Sequence, residues 1–91
     1  FDFNLEEIDA AFAQITRHQS SFSDSYHQRQ IVLGYDNLYT TLVFWTLKDK
    51  NYICLEPWSA PRNALNTGEH LTYLEPHSSR EAIVEMRVNQ I

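Results

Sequence analysis

One glutamate occupies a position where it could act as a base. Glu56 ends the apolar run Ile53-Cys54-Leu55 and is followed directly by a proline. A carboxylate at the end of such a run is expected at the rim of a sheet, partly withdrawn from water. Desolvation makes a carboxylate more basic, which suits a general base. A rim glutamate that pairs with Arg62 explains the same position, so both interpretations stay open.

Three further side chains suit a sugar ligand. Trp58 follows Glu56 closely, and a tryptophan ring can stack on the apolar face of a sugar while a nearby acid accepts hydrogen bonds from hydroxyl groups. Arg62 could bind an oxyanion or a phosphate. Asp9, which lies between apolar neighbours, could accept hydrogen bonds from sugar hydroxyl groups. Each also has a simpler role: core packing for Trp58, a salt bridge within the loop for Arg62, and a solvated face for Asp9.

The spacing of the other reactive residue types does not indicate a further site. The four histidines, His18, His27, His70 and His77, form no zinc-type pair with each other or with Cys54. No serine lies on a nucleophile elbow, and two glycines are too few for a phosphate-binding loop. We therefore expect neither a metal nor a cofactor.

Length and charge limit the function classes. A chain of 91 residues and 10.7 kDa has room for one small domain. A net charge of −5 gives no basic face for nucleic acid. The longest apolar stretch, 42–45, is far shorter than the roughly 20 residues of a membrane span, so no membrane association is expected. The single cysteine and the absence of a signal-peptide pattern at the first residues indicate a cytoplasmic protein.

Hydrophobic periodicity predicts an all-β fold with antiparallel strands and one short helix. Leu5, Ile8, Ala11, Phe12 and Ile15 recur at helical spacing, which predicts a helix over about 5–14, with a strand over 8–15 as the alternative. The polar segment 18–28 predicts a surface loop, and so does 59–68. Five strands are predicted, over 30–35, 40–47, 52–56, 71–74 and 80–91.

The predicted strands differ in burial and in pairing. The strand 40–47 has a continuous apolar centre, so we expect it to be buried on both faces and to form a hairpin with 52–56, which Pro57 ends. The alternating strand 80–91 is expected to be half buried. So few strands with open edges are typical of one part of a larger β-sandwich.

Residues 53–69, ICLEPWSAPRNALNTGE, followed by Leu74-Glu75-Pro76, resemble the C-terminal part of the aldose 1-epimerase (galactose mutarotase-like) family. Ile8–Phe12 and Leu42–Thr46 resemble, in the same order, an aspartate-containing segment of that family and the strand before its catalytic strand. The resemblance covers nearly the whole chain. It implies that residues 1–91 are the C-terminal fragment of a single β-supersandwich domain.

The resemblance also implies a reaction, the interconversion of α and β anomers of a hexose without a cofactor. Glu56, in the Cys-Leu-Glu motif, would be the general base on the anomeric hydroxyl, and Asp9 would bind sugar hydroxyls. The family's general acid is a histidine from an earlier strand, and a sugar-binding arginine and a second histidine lie still further upstream. None of the four histidines here stands in the matching context, so we expect these groups in an N-terminal part that this chain lacks. A base without its acid loses about 10² to 10⁴ in rate, so the 91-residue chain alone is expected to be nearly inactive.

Two alternatives remain from the sequence. One is a carbohydrate-binding protein that has lost catalysis, which Trp58 and Asp9 would suit. The other is a parent enzyme that acts on a hexose 6-phosphate, with Arg62 as the phosphate-binding group. In either case, exposed strand edges predict that the isolated chain self-associates.

Overall fold

The computed structural model describes residues 1–91 and is all-β, with antiparallel strands and one short helix, which confirms the predicted fold class. The elements are β1 (Glu7–Phe12), β2 (Gln19–Asp24), β3 (Arg29–Tyr35), β4 (Thr41–Leu47), β5 (Cys54–Trp58), α1 (Ala64–Thr67) and β6 (Val84–Gln90). They divide into two compact units, each with one three-stranded sheet. Unit 1 comprises Phe1–Ile15 and Tyr39–Thr72, and unit 2 comprises Thr16–Leu38 and Tyr73–Ile91. The only helix has four residues and is too short to cross a lipid bilayer.

The sheet of unit 1 has the order β1-β4-β5, with β4 at its centre. Val43 and Phe44 point to opposite faces of the sheet, and both are buried. This confirms the prediction that β4 is covered on both sides. The predicted hairpin with the following strand is also present, because β5 pairs antiparallel with β4. Thr46 Oγ1 donates a hydrogen bond of 2.8 Å to the carbonyl of Tyr52 and thereby closes the connecting loop.

Three local predictions in unit 1 need correction. The helix over 5–14 is wrong, and the alternative of a strand is right: β1 makes six residue pairs with β4, whereas a short isolated helix is marginal in water. Pro57 lies inside β5 instead of ending it, which an edge strand tolerates. The short helix is α1, in the segment predicted to be a loop. It is flanked by Asn63 and Gly68, both in the left-handed conformation at φ 65° and 75°.

The sheet of unit 2 has the order β2-β3-β6, and the central β3 buries Val32, Leu33 and Tyr35. The predicted loop 18–28 contains β2, because its alternating partly buried side chains, such as Phe22, pair with β3 despite the serine-rich composition. The prediction of a loop there was therefore wrong. The register of β2 places Phe22 opposite Ile31.

At the C-terminal side, one strand prediction is wrong, and the other is right except for where the strand begins and how far it is buried. Residues 71–74 form no strand, since they lie between the left-handed residues His70 and His77 and have no partner strand. The predicted strand 80–91 is present as β6 but begins only at Val84, because Val84 pairs with Tyr35, the last residue of β3. Just before it, the Asp36 carboxylate accepts the Ile83 N–H at 2.8 Å. All seven residues of β6 are exposed instead of half buried, since β3 is its only neighbour.

Candidate functional site

The register of the unit 1 sheet places three of the four predicted site residues on one face. Asp9 on β1 pairs with Trp45 on β4, and Trp45 pairs with Cys54 on β5. Side chains alternate along a strand, so residues two apart share a face. Glu56 and Trp58 therefore project from the same side as Asp9 and Trp45. We call this side the carboxylate face; it also carries Glu7, Thr41, Val43 and Cys54.

The fourth predicted residue, Arg62, reaches this face from the loop that follows β5. Its Nη2 donates a hydrogen bond to Oδ1 of Asp9 at 2.7 Å, across 53 positions of sequence. The salt bridge proposed for Arg62 thus exists, but its partner is Asp9 and not Glu56. The hydrogen bond from Arg62 to Asp9, and then the Asp9 charge, raise the pKa of the guanidinium above its usual range. The carboxylates of Glu56 and Glu7 act in the same direction.

The loop that carries Arg62 is fixed to the sheet by backbone and side-chain contacts. Thr40 donates its N–H to the Trp58 carbonyl and its hydroxyl to the Ser59 carbonyl, both at 3.0 Å. On the other side of Arg62, Ala64 is buried and anchors α1. Between these anchors, the Arg62 guanidinium carbon lies 5.4 Å from the centroid of the Trp58 ring, within the range of a cation–π contact. The guanidinium therefore has two partners on the carboxylate face.

Glu56 differs from Asp9 in having no such partner. It is half buried on β5 and pairs across the sheet with Val43. Its carboxylate accepts no hydrogen bond and forms no ion pair, although it feels the charge of Arg62. A half-buried carboxylate without a protein partner has both oxygens available to accept hydrogen bonds from a ligand.

Sequence reasoning missed one aromatic residue of this face. Trp45 lies opposite Asp9 in the register, and its ring is tilted by 31° against that of Tyr52, with 5.9 Å between the centroids. The centre of β4 is apolar without interruption, so the sequence does not show to which face of the sheet the Trp45 side chain points. Alternation across the hairpin, in which Trp45 pairs with Cys54, is the signal that would have identified it. Both tryptophans of the chain therefore lie on the carboxylate face.

The histidines have other surroundings. In unit 2, the ring of His18 meets that of Tyr35 edge-on, and His27 hydrogen-bonds the Asp24 carboxylate at 2.6 Å. In unit 1, His70 is exposed and lies outside the sheet. No group of three or more His, Cys, Asp or Glu side chains could hold a metal ion.

Comparison with known proteins gives a structural relative. No family model matches the sequence, and no curated protein matches it. The chain is similar in structure to the Slr1438 protein from Synechocystis sp. PCC 6803, with a TM-score of 0.94 and 45% sequence identity over 100% of this chain. The agreement shows that the two proteins share this fold. The match covers 32% of the Slr1438 chain, so the residues described here span about a third of that relative's length.

Proposed function

We propose that these residues belong to an aldose 1-epimerase-like enzyme that interconverts the α and β anomers of a hexose. One observation carries the proposal. The sheet register gathers Glu56, Asp9 and both tryptophans on one face, although they come from three strands. These are the residue types that a sugar site needs: a carboxylate to accept a proton, a second one to accept hydroxyl hydrogen bonds, and aromatic rings for the apolar sugar face.

In the proposed reaction, Glu56 removes the proton of the anomeric hydroxyl group. The electron pair of that O–H bond forms the carbonyl, the bond between C1 and the ring oxygen breaks, and an acid protonates the ring oxygen. Rotation about the C1–C2 bond and the reverse steps then give the other anomer. Glu56 suits the role of base because no group of the protein occupies its carboxylate. The acid would be a histidine in the remainder of the parent protein, as the family resemblance implies.

Anomer exchange by the full-length parent protein tests this proposal. Replacing Glu56 with Gln keeps the shape of the side chain and removes the base, so the exchange rate of glucose followed by NMR is expected to fall about 10²- to 10⁴-fold. The melting temperature should stay within a few degrees, since the Glu56 carboxylate makes no hydrogen bond that Gln would lose. Glu81→Gln, at an exposed position outside the strands, is the matched control and should keep the full rate. An undiminished rate in Glu56→Gln refutes the proposal.

The 91-residue chain has its own expected result. It should show almost no anomer exchange, because the acid is expected elsewhere in the parent. Measurable exchange by this chain that Glu56→Gln abolishes would contradict that expectation and place a complete site within these residues.

A second candidate function is sugar binding without catalysis. The placement of the tryptophans favours it, since Trp45 and Trp58 are both only partly buried and share a face with Asp9. Quenching of tryptophan fluorescence by glucose, without anomer exchange, would support this alternative.

A substrate that carries phosphate fits the carboxylate face less well. Glu7, Asp9 and Glu56 lie on this face, and the guanidinium of Arg62 is already bound to Asp9. A phosphate dianion would meet more negative than positive charge here. In a competition assay on the full-length parent, we expect glucose to be preferred over glucose 6-phosphate.

A further inference from the structure

Arg62 links two strands that are not neighbours. In the order β1-β4-β5, the central strand separates β1 from β5 by two strand spacings, roughly 10 Å. Arg62 follows β5, lies over Trp58 of that strand, and still reaches Asp9 on β1. Its side chain thus ties the two edge strands together across the carboxylate face.

Asp9 has few other constraints on its orientation. It lies on an edge strand, and its side chain is 29% exposed. An aspartate in that setting can rotate between several rotamers. The hydrogen bond from Arg62 is charge-assisted and engages Oδ1 only. The second oxygen, Oδ2, forms no hydrogen bond or ion pair within the protein and is therefore the atom that a sugar hydroxyl would meet.

Arg62 already has two partners within the protein, although its side chain is 58% exposed. Its Nη2 donates a hydrogen bond to Asp9, and its guanidinium carbon lies 5.4 Å from the centroid of the Trp58 ring. After the Asp9 hydrogen bond and charge, the negative charges of Glu56 and Glu7 also raise the pKa of the Arg62 guanidinium. These contacts hold the guanidinium beside Asp9 without a ligand.

We propose that Arg62 is a positioning residue: it holds Asp9 in the orientation that binds a sugar hydroxyl and does not contact the sugar. This inference rests on the proposed function, because it assumes that a sugar binds at the carboxylate face. It differs from the role of a phosphate- or oxyanion-binding group that the sequence suggested for Arg62.

Double-mutant kinetics on the full-length parent separate the two roles. Arg62→Gln is expected to raise KM for glucose about 10- to 100-fold, as misplacement of a binding group does, with kcat changed less than about twofold. Arg62→Lys should recover part of the loss, since it keeps the charge but not the planar fork. In the Asp9→Asn background, Arg62→Gln should have no further effect on KM. Arg80→Gln, at an exposed position of unit 2, is the control and should leave KM unchanged. An equal rise in KM in both backgrounds overturns the proposal, because it means that Arg62 contacts the sugar directly.

A second measurement does not depend on turnover. In crystal structures of the full-length protein, the Asp9 carboxylate is expected in one orientation in the wild type and in several in Arg62→Gln. An unchanged Asp9 orientation in Arg62→Gln overturns the inference whatever the activity. If the wild type shows no anomer exchange, the proposed reaction fails, and the same double-mutant comparison is made on the dissociation constant for glucose by calorimetry. The inference is supported if Arg62→Gln weakens glucose binding in the wild type but has no further effect in the Asp9→Asn background. Equal losses of affinity in both backgrounds, or no glucose binding at all, overturn it.

Discussion

Replacing Val43 tests how much the buried core of the unit 1 sheet contributes to stability. The Val43 side chain is 1% exposed and lies in the register between Ala11 and Glu56. Val43→Ala removes two buried carbon groups, which lowers the hydrophobic stabilisation by about 1.6 kcal/mol at 0.8 kcal/mol each. The cavity that remains adds to this, so we expect the free energy of unfolding to fall by about 2 to 3 kcal/mol. For a chain of this size, the melting temperature should drop by about 10 °C or more.

Val88→Ala on β6 is the matched control, because it makes the same change in a strand where the valine is 60% exposed. Both variants lose the same strand propensity, so their difference isolates burial. Urea unfolding of the 91-residue chain at low micromolar concentration, followed by tryptophan fluorescence, should show a clearly lower midpoint for Val43→Ala only. Equal midpoints for the two variants would refute the argument that Val43 fills a closed core.

Two further predictions concern unit 2. The hydrogen bond from the His27 ring holds the pKa of Asp24 below its usual value of 3.8, so the stabilisation from this pair is present above pH 3.8 and is lost as pH falls through the lower folded value. An NMR titration should show this low pKa and its return towards 3.8 in His27→Gln, and equal titrations in both proteins would contradict the pairing. The 91-residue chain should self-associate through β6, where Met86 is 68% exposed beside an open strand edge, and Met86→Lys should reduce the mass seen by light scattering. If the chain without the substitution is monomeric, the β6 edge does not mediate self-association.

The sequence predicted local pairings better than distant ones. The hairpin of β4 and β5 has a short connection and strong β-type composition, and it was predicted correctly. β1 pairs with a strand that begins about thirty residues after it ends, and its own residues repeat at a spacing that also fits a helix. Only the partner strand decides between the two structures, and periodicity within one segment carries no information about it. β2 was missed for the same reason. Its serine-rich composition is typical of a loop, and only its pairing with β3 shows that it is a strand.

The candidate site shows the same limit. Glu56 and Trp58 lie two positions apart, so a strand places them on one face without further information. The bond between Arg62 and Asp9 spans 53 positions, and sequence proximity favoured Glu56 as the partner instead. The register places Asp9 on the same face as Glu56, two strands away, and the Arg62 side chain reaches across that face to it. Placing Trp45 on this face depends on the register of the hairpin, which composition alone does not give.

The grouping on the carboxylate face depends on register more than on the site residues themselves. A slip of β5 by one residue would turn Glu56 to the opposite face, beside the Phe44 ring on which Phe1 stacks at 4.7 Å. Two threonines oppose that slip from the two ends of the hairpin. Thr40 is bonded to the carbonyls of Trp58 and Ser59, and Thr46 to that of Tyr52. Because these bonds are made to backbone oxygens, the side chains of β5 are free to vary in chemistry while their direction stays fixed. The sheet can therefore keep a carboxylate such as Glu56 exposed to a ligand without any hydrogen bond to hold it.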